Sequence, residues 1–391
     1  MCGIAGFWLS SLSTSDNLQH LIDPMVQKLK HRGPDEEGSW IDNSLKIALG
    51  HRRLSILDLS ESGSQPMESA KGLYILSYNG EIYNHEQIRR DINLEFPDYQ
   101  WRGTSDTETI LAAFDIYGIE KTLELCSGMF AMAIWDINHK KLFLVRDRFG
   151  EKPLYYFANN KNIIFASELK ALRENPHYSF ILDLAGMKNY IKRGYLDESH
   201  CIDSGTKKVL PGQVVVFDHI NRSANKSIYW SHSSFVKKEN TKKSRANSFN
   251  SNALKVENVL SEIVSSQMIS DVPLGSFLSG GIDSSLITTL MQKNSDIPIK
   301  TFTVGFEEDV FNESQYAEEI SRYLGTEHTS FILKESDAIN LIPEIASIYD
   351  EPFADYSQIP TILLAREAKK HVSVVLTGDG GDEIFGGYNR H

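Results

Sequence analysis

Cys2, followed by Gly3, is the first residue of this chain able to do chemistry. Both residues are small enough for the initiator methionine to be removed, which would leave one residue carrying a thiol and a free α-amine. Such an amine titrates at about 7.7–8.0 and can take the thiol proton near neutrality, as in an N-terminal nucleophile. Three polar strings follow: HRRLSILDLS (51–60), YNGEIYNH (78–85) and TSDTE (104–108). Each sets charged or amide groups beside a strand end and suits a small zwitterion. An amino acid with a side-chain carboxamide needs a guanidinium fork for its carboxylate, a carboxylate for its ammonium and donors for the oxyanion formed on attack. Arg53, Asp106, and the Asn79 side chain with the Gly80 N–H supply those types. Each also has a plainer reading, as a surface arginine, a helix-start aspartate and an Asn-Gly turn.

A second set lies in the last third. SGGIDSS (279–285), between an apolar strand and a helix, offers consecutive backbone N–H groups and hydroxyls, a cradle for phosphate. Its spacing is not that of a P-loop, and no GxGxxG fingerprint occurs; the plainer reading is a glycine turn with a serine cap. LTGDGGDE (376–383) places Asp379, Asp382 and Glu383 on another glycine loop. Were both loops to face one crevice, Asp283 and Asp382 would suit Mg²⁺, which takes a few carboxylates together with phosphate oxygens.

The elements that position these groups fall into two halves. Strand signals at 2–7, 45–50, 74–79, 129–135, 141–146 and 163–167, with helices through Leu18–Leu29 and from a capping box at Ser105 and Glu108, predict a layered α+β domain. Residues 231–252, SHSSFVKKENTKKSRANSFNSN, read as a polar linker, with Lys237, Lys238, Lys242, Lys243 and Arg245 against Glu239. A solvated tether is the plain reading and a docking patch the alternative. Beyond it, apolar strands at 274–279, 300–306, 328–333 and 372–377 alternate with helices at 286–292, 314–324 and 358–370, which predicts a parallel sheet covered on both faces. Ligands in such sheets bind at the carboxyl ends of the strands, where the two glycine clusters fall.

Bulk properties narrow the function. A chain of 391 residues exceeds the size of one core, so two domains are expected. A net charge of -12 argues against nucleic acid as a partner. No apolar run reaches the roughly 18 residues of a membrane span, and no Lys or Arg precedes Lys28 to head a secretory signal, so a cytoplasmic location is expected. Cys2, Cys126 and Cys201 are too scattered for a disulfide framework or a zinc site, and the last two read as packing residues.

In order along the chain, MCGIAGF, HRGPD (31–35), RRLSILD, YNGEIYNH, TSDTE and RDRFGEKPLYY (146–156) resemble the class II glutamine amidotransferase domain of glutamine-hydrolysing asparagine synthetases, over most of residues 1–230. The resemblance implies an αββα N-terminal nucleophile fold, with Cys2 as nucleophile and Asn79 and Gly80 as oxyanion hole. It also implies Arg53, Leu54, Ser55, Ile56, Leu57, Glu81 and Asp106 around glutamine. PLGSFLSGGIDSS, TFTVGF (301–306), EPFADYSQIP (351–360) and LTGDGGDE resemble the ATP-pyrophosphatase-like synthetase domain of the same family. That implies ATP on Leu278, Ser279, Gly280, Gly281, Asp283, Ser284, Ser285, Val304, Thr377 and Gly378, with Mg²⁺ on Asp283 and Asp382 and a catalytic role for Asp379.

The domain map expected is 1–230 glutaminase, 231–252 linker and 253–391 synthetase. The function implied is release of ammonia from glutamine and its use on an adenylated carboxylate, most simply aspartate, in a chain compatible with a homodimer. Two departures qualify this. Asp379 stands where the family often carries glutamate, which leaves room for another acceptor such as a sugar acid. The sequence stops at His391, before a further helical region of the family, which leaves room for a chain active only as a glutaminase.

Overall fold

The computed structural model describes residues 1–11, 17–159, 161–220, 222–234, 249–307, 312 and 314–388. The chain divides into two compact units, Met1–Lys242 with Tyr349–Ala354, and Lys243–Ile348 with Asp355–His391.

Unit 1 holds two six-stranded antiparallel sheets. The first runs β10 (Thr206–Lys208), β8 (Tyr155–Ala158), β9 (Asn162–Ala166), β1 (Gly3–Leu9), β3 (Ile47–Arg53), β2 (Glu36–Asp42). The second runs β12 (Asn225–Ile228), β11 (Gln213–Asp218), β7 (Lys141–Arg146), β6 (Gly128–Asp136), β5 (Tyr74–Ile82), β4 (Met67–Glu68).

The period of two along each strand sorts its side chains between two cores. On β1, Ile4 and Trp8 join the layer between the sheets, while Ala5, Phe7 and Leu9 face α1 (Leu18–Lys28). On β6, Ala131, Ala133 and Trp135 face the other sheet, while Phe130, Met132 and Ile134 lie under helices α2 (His85–Glu95), α3 (Asp106–Tyr117) and α4 (Ile119–Leu125). Trp8 and Trp135 meet edge to face with centroids 4.9 Å apart. The result is four layers, αββα. Because the inner strands are apolar on both faces they read as unbroken hydrophobic runs.

α2 and α4 were not anticipated, since α2 buries only Ile88 and Ile92 among its apolar residues. The short helices α5 (Leu169–Leu172) and α6 (Leu184–Arg193) complete the unit.

Unit 2 is a four-stranded parallel sheet, β15 (Glu327–Leu333), β14 (Lys300–Phe306), β13 (Leu274–Phe277), β16 (Val374–Leu376). Its helices are α7 (Phe249–Gln267), α8 (Ile282–Lys293), α9 (Ser314–Leu324), α10 (Glu335–Ile348), α11 (Gln358–Ala368) and α12 (Gly381–Phe385). Leu376 packs with Val264 of α7 and Leu290 of α8, whereas its neighbour Val375 packs with Leu364 and Ala368 of α11, so both faces are covered. The chain builds outward from β13 to β15 and returns to β16 on β13's other side. The carboxyl end of β13 is therefore a topological switch point.

The basic residues Lys237, Lys238, Lys242, Lys243 and Arg245 lie outside the described residues, whereas residues 249–252, expected in the linker, begin α7. Among the described residues no helix is long and apolar enough to cross a membrane.

Candidate active site

Cys2 stands immediately before β1, and its partner strand β3 ends at Arg53, so the sheet edge delivers thiol and guanidinium to one cavity. The cavity is lined by Cys2, Arg53, Leu54, Ile56, Leu57, Asn79, Gly80, Glu81 and Asp106, together with Met1, Gly63, Gln65, Tyr78, Ser105, Thr107, Met129 and Lys152. Of the first-half residues expected, only Ser55 is not on this wall. Its N–H donates to Asp35 at 2.8 Å.

The Cys2 Sγ accepts from the Leu54 N–H at 3.4 Å, and its carbonyl accepts from Arg32 Nε at 2.8 Å. Burial pushes the thiol above its ordinary value, although the Leu54 backbone and the nearby terminal amine pull the other way. A thiol so placed is not a preformed thiolate and needs a base. Among the described residues no histidine lines the cavity. The nearby His51 is buried, bonds the Tyr78 carbonyl at 2.9 Å and is lowered to about 4 by burial, which keeps it neutral.

Asn79 and Gly80 sit mid-strand on β5, paired with Ala131 and Phe130. A Cβ at Gly80 would fall 2.1 Å from the Met129 carbonyl, so only glycine allows the two strands to close there. The Asn79 side chain is 1% exposed, yet neither its Nδ2 nor its Oδ1 has an intramolecular partner. Leaving a buried amide unpaired costs on the order of 1–3 kcal/mol, which is the signature of a group held ready for a ligand.

Asp106 is the first residue of α3. Its carboxylate accepts from the Tyr78 hydroxyl at 2.7 Å and the Ile82 N–H at 3.0 Å, which aim it across the cavity floor. The expected cap is present, Ser105 accepting from the Glu108 N–H at 3.2 Å. Glu108 itself reaches the Arg102 and Gly103 N–H groups instead of closing the box. Arg53 is clamped by the Asp58 carbonyl, the Ser60 carbonyl at 2.9 Å and Glu36 at 3.1 Å, so its fork is fixed before any ligand arrives.

Burial, aided by Asp106, raises Glu81 to about 7, and its Oε1 is unpartnered. Lys152 faces it; burial lowers this ammonium against the pull of Glu151 and Glu81. The Lys152 Nζ and Arg32 flank the Met1 thioether at 3.3 and 3.9 Å, so Met1 fills a corner of the cavity. Tyr78 and Lys152 were not singled out from sequence, although both lie inside quoted strings. Only the partners Asp106 and Glu81, distant along the chain, reveal them.

In unit 2 the loop after β13 turns at Gly280, whose φ of +84° is a conformation glycine adopts readily. Ser279 and Ser284 hydroxyls meet at 3.0 Å, and the Ser285 hydroxyl returns to the Gly281 carbonyl at 2.6 Å. The N-cap of α8 is Gly281 with no side-chain bond, not a serine cap, so the helix-start N–H groups lack a capping side chain. That is the anion-binding end of a helix dipole.

The second glycine loop lies against the first: a Cβ on Gly378 would fall 2.7 Å from the Ser284 N, and one on Gly381 2.4 Å from Asp283 Oδ2. The two loops thus pack against each other, with Asp283 beside the residue that precedes Asp382. Carboxylates on adjoining loops are the residue type that Mg²⁺ takes together with phosphate oxygens. Asp379 is exposed and its carboxylate accepts from the Thr377 hydroxyl at 2.9 Å. Val304 is half-buried on β14, and Leu278, 1% exposed, donates its N–H to Phe302 at 2.9 Å.

Unit 1 thus carries a Cys2 cavity in a four-layer fold, and unit 2 carries two glycine loops after strands of a parallel sheet. Residues 1–230 match the model of the glutamine amidotransferase domain and residues 255–391 that of asparagine synthase. The chain belongs to the glutamine-hydrolysing asparagine synthetase family.

It is 38% identical, over its whole length, to asparagine synthetase (glutamine-hydrolyzing) 1 of Bacillus subtilis, of which it spans 59%. It is 37% identical to the putative asparagine synthetase (glutamine-hydrolyzing) 2 of Methanocaldococcus jannaschii, spanning 76% of it. It is also 33% identical to amidase chyE of Penicillium rubens, spanning 59%.

Proposed function

We propose that the chain hydrolyses glutamine at Cys2 and delivers the ammonia to an ATP-activated carboxylate, most simply aspartate, giving asparagine, AMP and pyrophosphate in the cytoplasm. The reading rests on one observation above others: a buried, unpartnered Asn79 amide in the same cavity as Cys2, Arg53, Glu81 and Asp106.

Removal of Met1 frees the Cys2 α-amine and empties the corner its side chain fills. The amine takes the thiol proton as sulfur attacks the carboxamide carbon, and Asn79 with the Gly80 N–H receives the oxyanion. The same proton then leaves with ammonia, and water cleaves the thioester to glutamate. Arg53 holds the substrate carboxylate; Asp106 and Glu81 hold its ammonium.

In unit 2, Ser279, Gly281 and Ser284 cradle the phosphates while the acceptor carboxylate displaces pyrophosphate from ATP. Ammonia then displaces AMP from the acyl carbon. Asp283 and Asp382 would hold Mg²⁺, which neutralises phosphate charge.

A glutamine, ATP and Mg²⁺ incubation should yield asparagine, AMP and pyrophosphate in equal amounts when aspartate is added. Because Asp379 is turned back onto Thr377, amidation of another carboxylate is the second reading. A panel of carboxylic acids decides between them, and glutamate release with no AMP from any acid would overturn the ATP-dependent half.

The Glu81 carboxyl gives a further expectation. It is neutral below about pH 7 and anionic above, and only the anion attracts an ammonium. Glutamine affinity, measured on an inactive Cys2→Ala chain, should therefore rise about tenfold from roughly pH 6 to 8 and become flat in Glu81→Gln. A slope unchanged by the substitution would assign the dependence elsewhere.

A further inference from the structure

Tyr349–Ala354 lies by sequence between α10 and α11, yet it is part of unit 1. Glu351 is bound there by Lys208 at 2.7 Å and the Ile202 N–H at 2.8 Å, and the Ala354 N–H donates to the Gly194 carbonyl at 2.5 Å. The neighbouring Asp350 opens a different series of contacts. Its Oδ1 lies 3.5 Å from Lys170 Nζ, which is 3.2 Å from Glu168 Oε2; Glu168 Oε1 accepts from Arg32 Nη1 at 2.8 Å, and Arg32 Nε donates to the Cys2 carbonyl at 2.8 Å. The four side chains are between 8% and 14% exposed.

We propose that Asp350, Lys170 and Glu168 are positioning residues for the nucleophile: a buried row of alternating charges that fixes Arg32 and, through its Nε, the Cys2 carbonyl. The proposal rests on Cys2 as the nucleophile. Its geometry is one-directional. Arg32 has one nitrogen on the Cys2 backbone and another on Glu168, so any rotation that breaks the second bond moves the first. Glu168 is in turn held between His31, Arg32 and Lys170. Burial would push its carboxyl up, but the bonds from His31 and the Arg32 charge prevail and hold it at about 2, so it is an anion across the working range. Lys170 neighbours both Glu168 and Asp350, and Asp350 is supplied by the segment between α10 and α11. The setting of the thiol therefore depends on where a six-residue piece of the synthase half is seated.

The test uses the full chain with Asp350→Asn, Lys170→Met and the pair. Each single change should lower the glutaminase kcat about tenfold while the glutamine KM stays within about twofold, and the pair should be no worse than either, since both cut one row. Alkylation of Cys2 by iodoacetamide should slow in parallel, and Lys170→Arg should keep activity. Lys208→Met, which breaks the Glu351 pair in the same segment without touching the row, should leave kcat within about twofold. Wild-type kcat and alkylation rate in the Asp350 and Lys170 variants, effects that multiply, or an equal loss in Lys208→Met would each overturn the row. If the unaltered chain releases no glutamate, the nucleophile assignment itself fails, and the alkylation rates still judge the row separately.

Discussion

Cys2→Ala should abolish glutamate release from glutamine, with a fall of at least about 10⁴-fold, while activity with added ammonia should persist. The size of the loss follows from the site. Burial raises the thiol above its ordinary value and no histidine lines the cavity among the described residues; once Met1 is removed, the terminal amine belongs to the same residue as the sulfur. Alanine keeps that amine and removes the only atom it serves. The persistence follows from placement: Ser279, Gly281, Asp283 and Ser284 all lie in unit 2, so the phosphate cradle is built without Cys2. Glutamate assays and ammonia-driven AMP release read the two halves separately. Continued glutamate production would remove Cys2 from its role, and loss of both activities would show that the substitution harms more than the thiol.

Asn79→Ala should lower the glutaminase kcat by about 10²–10³-fold, the usual cost of one oxyanion donor. Thermal stability, by contrast, should hold or rise slightly. Most core substitutions destabilise because they break contacts, but this amide has no intramolecular hydrogen bond to break and carries an unrelieved desolvation cost. Opposite signs for catalysis and stability separate a ligand-facing donor from a structural one. A large drop in melting temperature with kcat unchanged would mean that Asn79 serves the strand and not the substrate.

Much of this arrangement was legible in the sequence where a residue's role is local. β7 and β14 fall at the expected bounds because their apolar runs end in turn signals, and α9 spans Ser314–Leu324 as its spacing predicts. Ser105 announced the start of α3 because a cap acts over three residues. The cavity wall was readable in part for the same reason: Arg53 ends a strand, Asp106 begins a helix and Asn79 precedes a glycine.

What stayed hidden depends on partners far along the chain. Tyr78 earns its place only through Asp106, and Lys152 only through Glu81 and Met1. β2, with its alternating half-exposed EEGSWID, lacks the apolar run that marked its neighbours; it is defined by pairing with β3. Nothing in YDEPFA signals that those residues leave one unit to join the other, because their acidic groups find Lys170 and Lys208 roughly 140–180 positions back.

That excursion bears on how the protein is made. A ribosome releases the chain from its first residue onward, and domains usually close as they emerge. Here the first unit has its sheets in hand by Ile228, yet its last six residues come only at 349–354, after β13, β14 and β15 have been synthesised. Until then Lys208 and the Ile202 amide wait at a vacant seat. Unit 1 thus reaches its finished form only on a nascent chain that already contains most of unit 2.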